Sequence, residues 1–157
     1  MAKVPSKVLG AVAMIGALAL AAPAQAKPGA VLTAAADEKW ADVPGFPGVK
    51  ISPVEGNPEK GPSHFLIKFA PGFAAPLHHH SSDHYVTVLA GNMTMVVDGK
   101  EVKLGPGSFF QFTGKQKHET RCDAGAECEL SVDSRGKWDV VVEDAGKKPA
   151  DAAKPAK

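Results

Sequence analysis

Residues 72–91 read GFAAPLHHHSSDHYVTVLAG, and the alternation within them decides the fold. His78 and His80 stand two apart, so on an extended strand both side chains point to one face and His79 to the other. His84 opens a second run in which His84, Val86, Val88 and Ala90 share a face, while Tyr85, Thr87 and Leu89 take the opposite one. Ser81, Ser82 and Asp83, between the runs, are turn formers. Two β runs with histidines on their inner faces bring three imidazoles together inside a barrel or sandwich. Converging neutral imidazoles are the ligands that a borderline divalent metal prefers.

The same period of two recurs along the chain. Phe65, Ile67 and Phe69 alternate with His64, Leu66 and Lys68. Residues 93–97 and 100–104 flank Asp98-Gly99, the signal of a type I′ hairpin, with Met93, Met95 and Val97 facing the core. Phe110 and Phe112 share one face of residues 108–113, opposite Phe109 and Gln111. His118 opens a strand that ends at Cys122, and residues 128–133 run back from it as a hairpin partner. Residues 138–142 read as the last strand. Upstream, residues 49–54 fit a short edge strand, where Pro53 is tolerated. Pro44, Gly45, Pro47 and Gly48 exclude a helix between 40 and 49, whereas one helical turn fits 34–39. About nine short strands separated by Gly and Pro turns predict an all-β fold in one domain, a jelly-roll β-barrel closed over a small cavity. Phe65, Ile67, Phe69, Val86, Val88, Met95, Phe110, Phe112, Leu130 and Val132 are its expected wall, apolar throughout and suited to a small, hydrophobic or planar ligand.

The ends of the chain read differently. Lys3 and Lys7, the apolar run 8–22 and Ala24-Gln25-Ala26 form a secretory signal peptide over residues 1–26. Its apolar run is shorter than the ~20 residues of a membrane span. Residues 27–39 are an Ala-rich lead-in, 40–143 the folded domain, and 144–157 a tail of Ala, Lys, Pro and Asp without the apolar surface needed to fold. The expected location is periplasmic or secreted, with no membrane span once the signal is cleaved. The 18 Lys and Arg stand against 17 Asp and Glu, and losing Lys3 and Lys7 leaves the rest close to neutral. That balance excludes a nucleic-acid groove and a polybasic membrane patch. Cys122 and Cys128 lie in the exported part, where an oxidising compartment permits a disulfide, here read as a cross-strand bond pinning the hairpin around residues 123–127.

The run Gly72-x5-His78-x-His80-x3-His84-x6-Gly91 resembles the first motif of the cupin superfamily, G-x5-H-x-H-x3,4-E-x6-G, with His84 where the glutamate stands. The second cupin motif, G-x5-P-x-G-x2-H-x3-N, is matched loosely by Gly107-Ser108, Phe112-Thr113-Gly114 and His118, with no asparagine following. The likeness covers residues 40–143, and Trp40 to Gly45 and Gly56 to Pro58 also look like small secreted single-domain cupins. The resemblance implies a barrel with one metal inside. Carried over by position, the ligands are His78, His80 and His118, with His84 in the glutamate's place.

Replacing a carboxylate with imidazole disfavours Mn²⁺ and Mg²⁺ and favours Zn, Ni, Cu, Co or Fe. Four tetrahedral histidines close a site and make it structural, whereas an octahedral ion, or a three-histidine set with His84 standing back, leaves positions open. Asp83, Tyr85 and Glu119 adjoin the ligands, but alternation turns them away, so no catalytic residue is named. The wall offers no arginine clamp, which argues against phosphorylated sugars. Two functions stay open: a metal-dependent dioxygenase or other oxidoreductase on a small organic substrate, and a non-catalytic periplasmic metal- or small-ligand-binding protein. A homodimer through edge strands is a further expectation.

Overall fold

Phenylalanine, valine and isoleucine at every second position make strands whose one face is buried, and β3 (Ser63–Phe69) shows it: its exposure alternates residue by residue. The computed structural model describes residues 29–143. The signal peptide expected at 1–26 and the tail expected at 144–157 lie outside the described residues. After a 3₁₀ turn at Ala35–Asp37, the strands are β1 (Ala41–Asp42), β2 (Val49–Gly56), β3, β4 (Ala74–His79), β5 (His84–Ala90), β6 (Met93–Val97), β7 (Lys100–Leu104), β8 (Phe109–Phe112), β9 (His118–Cys122), β10 (Cys128–Ser134) and β11 (Val141–Val142). No helix among the described residues is long and apolar enough to cross a membrane.

The strands form two antiparallel sheets, ordered β1-β2-β3-β10-β5-β8 and β11-β4-β9-β6-β7. This is the jelly-roll arrangement in sandwich form; the sheets are hydrogen-bonded internally and do not close into one barrel. Between them lie Phe65, Val86, Val88, Met93, Leu130 and Val132, each at most 3% exposed. Burying such a side chain stabilises the fold by about 1.5–3 kcal/mol, so this shared interior holds the sheets face to face. Asp98 and Gly99 both have positive φ (49° and 74°), and β6 pairs with β7 through the expected I′ turn.

Three sequence readings change. β9 and β10 are not hairpin partners: β9 pairs with β4 and β6 in one sheet, β10 with β3 and β5 in the other. The chain from 123 to 127 is an arch between sheets, and the Cys122–Cys128 disulfide ties sheet to sheet. Matching alternation on the two strands fits either geometry, because facing sheets also present inward residues to each other. The last strand is shorter than expected, Val141–Val142, because Trp138 N–H donates instead to the Pro58 carbonyl at 2.7 Å. The edge reading of residues 49–54 is also revised, since β2 extends to Gly56 and carries β1 alongside it. Gly91 closes the run quoted first; at φ 75° a Cβ there would lie 2.8 Å from the Cys128 sulfur and 2.5 Å from the Glu127 carbonyl, so the arch needs a residue without one.

Candidate metal centre

His78 and His118 are register partners on β4 and β9, which makes two residues forty apart in sequence direct neighbours. β4 reaches this register through a bulge between Ala75 and His78, which resets its alternation so that both are buried. His80 follows the end of β4 on the same inward face. His84 starts β5 in the opposite sheet, paired with Ser134 and Phe112. All four imidazoles are 5% exposed or less, whereas His79 and His64 are half-buried. His79 donates Nδ1–H to Glu143 at 2.6 Å, and His64 meets the Ser131 hydroxyl at 2.9 Å.

The hydrogen bonds fix the tautomer of the four buried rings. Nδ1 of His78 lies 2.7 Å from the Pro76 carbonyl, that of His118 3.0 Å from the Gln116 carbonyl and that of His84 3.2 Å from the Ser82 carbonyl; His80 Nδ1 meets the Asp139 carbonyl. A carbonyl oxygen only accepts, so each Nδ1 carries its proton and each neutral ring keeps its lone pair on Nε2. Burial first, and repulsion between neighbouring imidazoles after it, pushes His80 down to about 2 and His118 down to about 3. Burial also lowers His78 and His84. The rings are therefore neutral bases at any physiological pH, the form in which imidazole binds a metal.

Nitrogen atoms of His78, His80 and His118 lie within 4.8 Å of one another, a separation that one ion can span. Three neutral imidazoles with fixed tautomers fit a borderline divalent metal. His84 stands beside this set: its ring centroid is 4.7 Å from that of His80 and 6.1 Å from that of His118. It arrives from the facing sheet, and its position leaves the triad complete without it.

Aromatic rings hold the imidazoles from behind. Phe112 stacks on His118 at 4.1 Å and Trp138 on His80 at 3.9 Å, while Trp138 meets His84 edge-on at 5.1 Å. The segment after β10 also braces the turn before β5. The Asp139 carboxylate accepts from Ser81 N–H at 2.8 Å and from its hydroxyl at 2.7 Å, and the Lys137 carbonyl accepts from Ser82 at 3.2 Å. Across the site, Gly114 N–H donates to the Asp83 carboxylate at 2.7 Å and Lys115 N–H to the His80 carbonyl at 2.8 Å, so the approach to His118 is bound to the turn that carries His80 and His84.

All four histidines face one chamber of about 70 Å³. Of the expected wall, Ile67, Phe69, Val86, Met95, Phe110, Leu130 and Val132 line it. Phe65, Val88 and Phe112 do not. Phe65 and Val88 are packed behind it in the core, and Phe112 is taken up by stacking on His118. The sequence reading missed further apolar wall residues: Val43, Phe46, Phe73, Trp138 and Val140 sit in Pro- and Gly-rich or irregular chain with no period to reveal a face, Val49 opens β2, and Ala75 precedes the bulge of β4. Pro58 and its neighbours had marked that region only as loop. Thr120 is the one side chain on the wall, among the described residues, that is polar without being an imidazole.

The family description Cupin_2, Cupin domain, matches residues 65–133, which include all four buried histidines. Among solved structures, the polyketide cyclase RemF from Streptomyces resistomycificus is similar with a TM-score of 0.63 at 20% identity, over 76% of this chain and 89% of that one. KdgF from Halomonas sp. gives 0.57 at 20% identity, over 68% and 94%. The DMSP lyase DddQ from Ruegeria pomeroyi gives 0.59 at 18% identity, over 71% and 64%. At these identities the likeness is one of fold. Comparison with curated proteins found no match.

Proposed function

Because this chain belongs to the cupin superfamily, we propose that His78, His80 and His118 hold one divalent transition metal through Nε2, with His84 beside them, and that a small organic molecule is oxidised in the adjoining chamber. The observation that carries the reading is the set of three Nε2 lone pairs gathered on one chamber while every Nδ1 is held by a backbone carbonyl. Zn, Ni, Cu, Co or Fe suits an all-imidazole set better than Mn or Mg. Such an ion supplies a Lewis-acid centre and, where its oxidation state can change, an electron donor or acceptor. The chain's own contribution is placement. The Ile67, Phe69, Phe110 and Leu130 side chains exclude water and favour an apolar or planar body, and the Thr120 hydroxyl is available to a ligand oxygen.

A second reading is favoured by one observation: among the described residues no carboxylate lines the chamber, so the described wall holds no evident general base besides the imidazoles. On that reading the protein binds a metal or small ligand without turnover. In either case the signal-peptide reading of residues 1–26 supports a periplasmic or exterior location, and the edge strands β7 and β8, with Val102 and Phe109 exposed, are where a homodimer would pair.

Metal analysis of protein exported in its own host, followed by dioxygen uptake across a panel of small phenols and enols, separates the two. Uptake that disappears in His78→Ala supports the oxidase reading. Stoichiometric metal with no turnover leaves the binder. Protein that takes up no divalent metal removes the oxidation reading and leaves only the binding of a small ligand.

A further inference from the structure

The inner chamber of about 70 Å³ is far smaller than the ~300–1,000 Å³ of ordinary ligand sites. A second cavity, a groove of about 610 Å³, lies between the chain before β3 and the segment after β10. The two share four wall residues, Val43, Phe46, Trp138 and Val140, which therefore form the partition between them. Trp138 is fixed on both sides: its ring stacks on His80 at 3.9 Å, and its N–H donates to the Pro58 carbonyl at 2.7 Å. On its far side the groove is floored by Pro44, Ile51, Pro53 and Pro58.

We propose that the groove is a second binding subsite, continuous with the inner chamber across the Trp138–Phe46 partition, and that it takes the bulky apolar body of a ligand whose narrow end lies by the histidines. The inner chamber by itself holds only that narrow end; the groove has the volume for the rest. Its charge narrows the class further. Asp42, Glu59 and Asp139 line it and, among the described residues, no basic one does, although Lys50 pairs with Asp42 at 2.8 Å. Carboxylates and phosphates are disfavoured there, so the ligand is an elongated molecule whose tail carries no negative charge and whose head is small and polar or planar. Val43, Phe46, Trp138 and Val140 then set the width of the head, and the prolines set the length of the tail. The identity of the head's partner rests on the metal reading above, but the groove does not.

The test is calorimetric titration of the zinc-loaded full chain with 4-n-alkylphenols from methyl to hexyl. Affinity should rise about fourfold per added methylene, as expected for apolar burial, and 4-hydroxyphenylalkanoates of equal length, whose terminal carboxylate would lie in the groove beside Asp42, Glu59 and Asp139, should bind at least tenfold more weakly. Pro53→Phe, an exposed position on the groove alone, should flatten the chain-length series and leave 4-methylphenol and zinc affinity unchanged. A flat series in the unaltered protein, a full slope in Pro53→Phe, equal binding of the tail carboxylates, or no phenol binding at all would overturn the proposal. Zinc stoichiometry is measured separately. A slope retained without zinc uptake sinks the metal reading and not the groove; zinc bound with a flat series does the reverse.

Discussion

The two ends of the sandwich hold the sheets together by opposite means. At one end, Cys122 of β9 and Cys128 of β10 join the sheets covalently, buried among Met93 and Phe73. At the other end of the same strands, His118 opposes His78, and Ser134 sits beside His84. Four desolvated imidazoles meet there, and only carbonyl hydrogen bonds and aromatic stacking keep them in place. The disulfide end needs nothing more to be stable. The histidine end gathers Nε2 lone pairs in a setting where burial disfavours the protonated ring, an arrangement compatible with a metal ion.

Acid should separate the ends most strongly. In metal-free protein, burial keeps the four imidazoles below their ordinary 6.5. The unfolded chain then takes up protons that the folded chain refuses. Stability is complete above pH 6.5 and falls as pH drops through the window toward about 2–3. The loss is up to about 1.4 kcal/mol per pH unit for each imidazole. Denaturant melts at pH 7.5, 6 and 5 measure it, and a stability flat over that range would contradict the burial argument. The slope should be shallower in His118→Ala.

Next in size is the metal itself. His118→Ala should abolish stoichiometric zinc binding, a greater effect than the ~10–100-fold that loss of a supporting residue produces. Titration against a chromophoric chelator reads it, and unchanged affinity would remove His118 from the ligand set. His84→Gln should retain one zinc per chain; loss of binding there would make the site a four-histidine one.

At the opposite end, Cys122→Ala with Cys128→Ala should lower stability by about 2 kcal/mol, the loop-entropy value for so short a closure, and leave zinc affinity within about threefold. If metal binding fell along with stability, the two ends would not be independent. The smallest effect is expected for Asp139→Ala. Its carboxylate braces Ser81, the neighbour of His80, whose Nδ1–H donates to the Asp139 backbone carbonyl that the substitution keeps, so loss of the carboxylate should weaken zinc binding about tenfold, within the range for a supporting residue, with little change in melting temperature.

The period of two made most of this legible beforehand. Strands β3, β5, β6 and β9 follow from alternation and β7 from the Asp98-Gly99 hairpin signal, while the spacing of His78, His80 and His84 marked three of the buried rings and the motif resemblance added His118. Two things were hidden for physical reasons. Alternation is blind to which sheet a strand joins, so β9 and β10 looked like hairpin partners when a five-residue arch carries the chain from one sheet to the other. Trp138, Val43 and Phe46 lie outside regular strands, where no periodicity marks an inward face, yet all three wall the chamber and Trp138 stacks on His80. The bulge before His78 was equally silent, although it decides which way that ring points.

The sulfur bridge has one more implication. It ties the sheets at the margin far from the imidazoles, so reducing it would loosen that seam around Met93 and Phe73, while the contacts of residues 80–83 with Gly114, Lys115, Lys137 and Asp139 go on lacing the histidine margin.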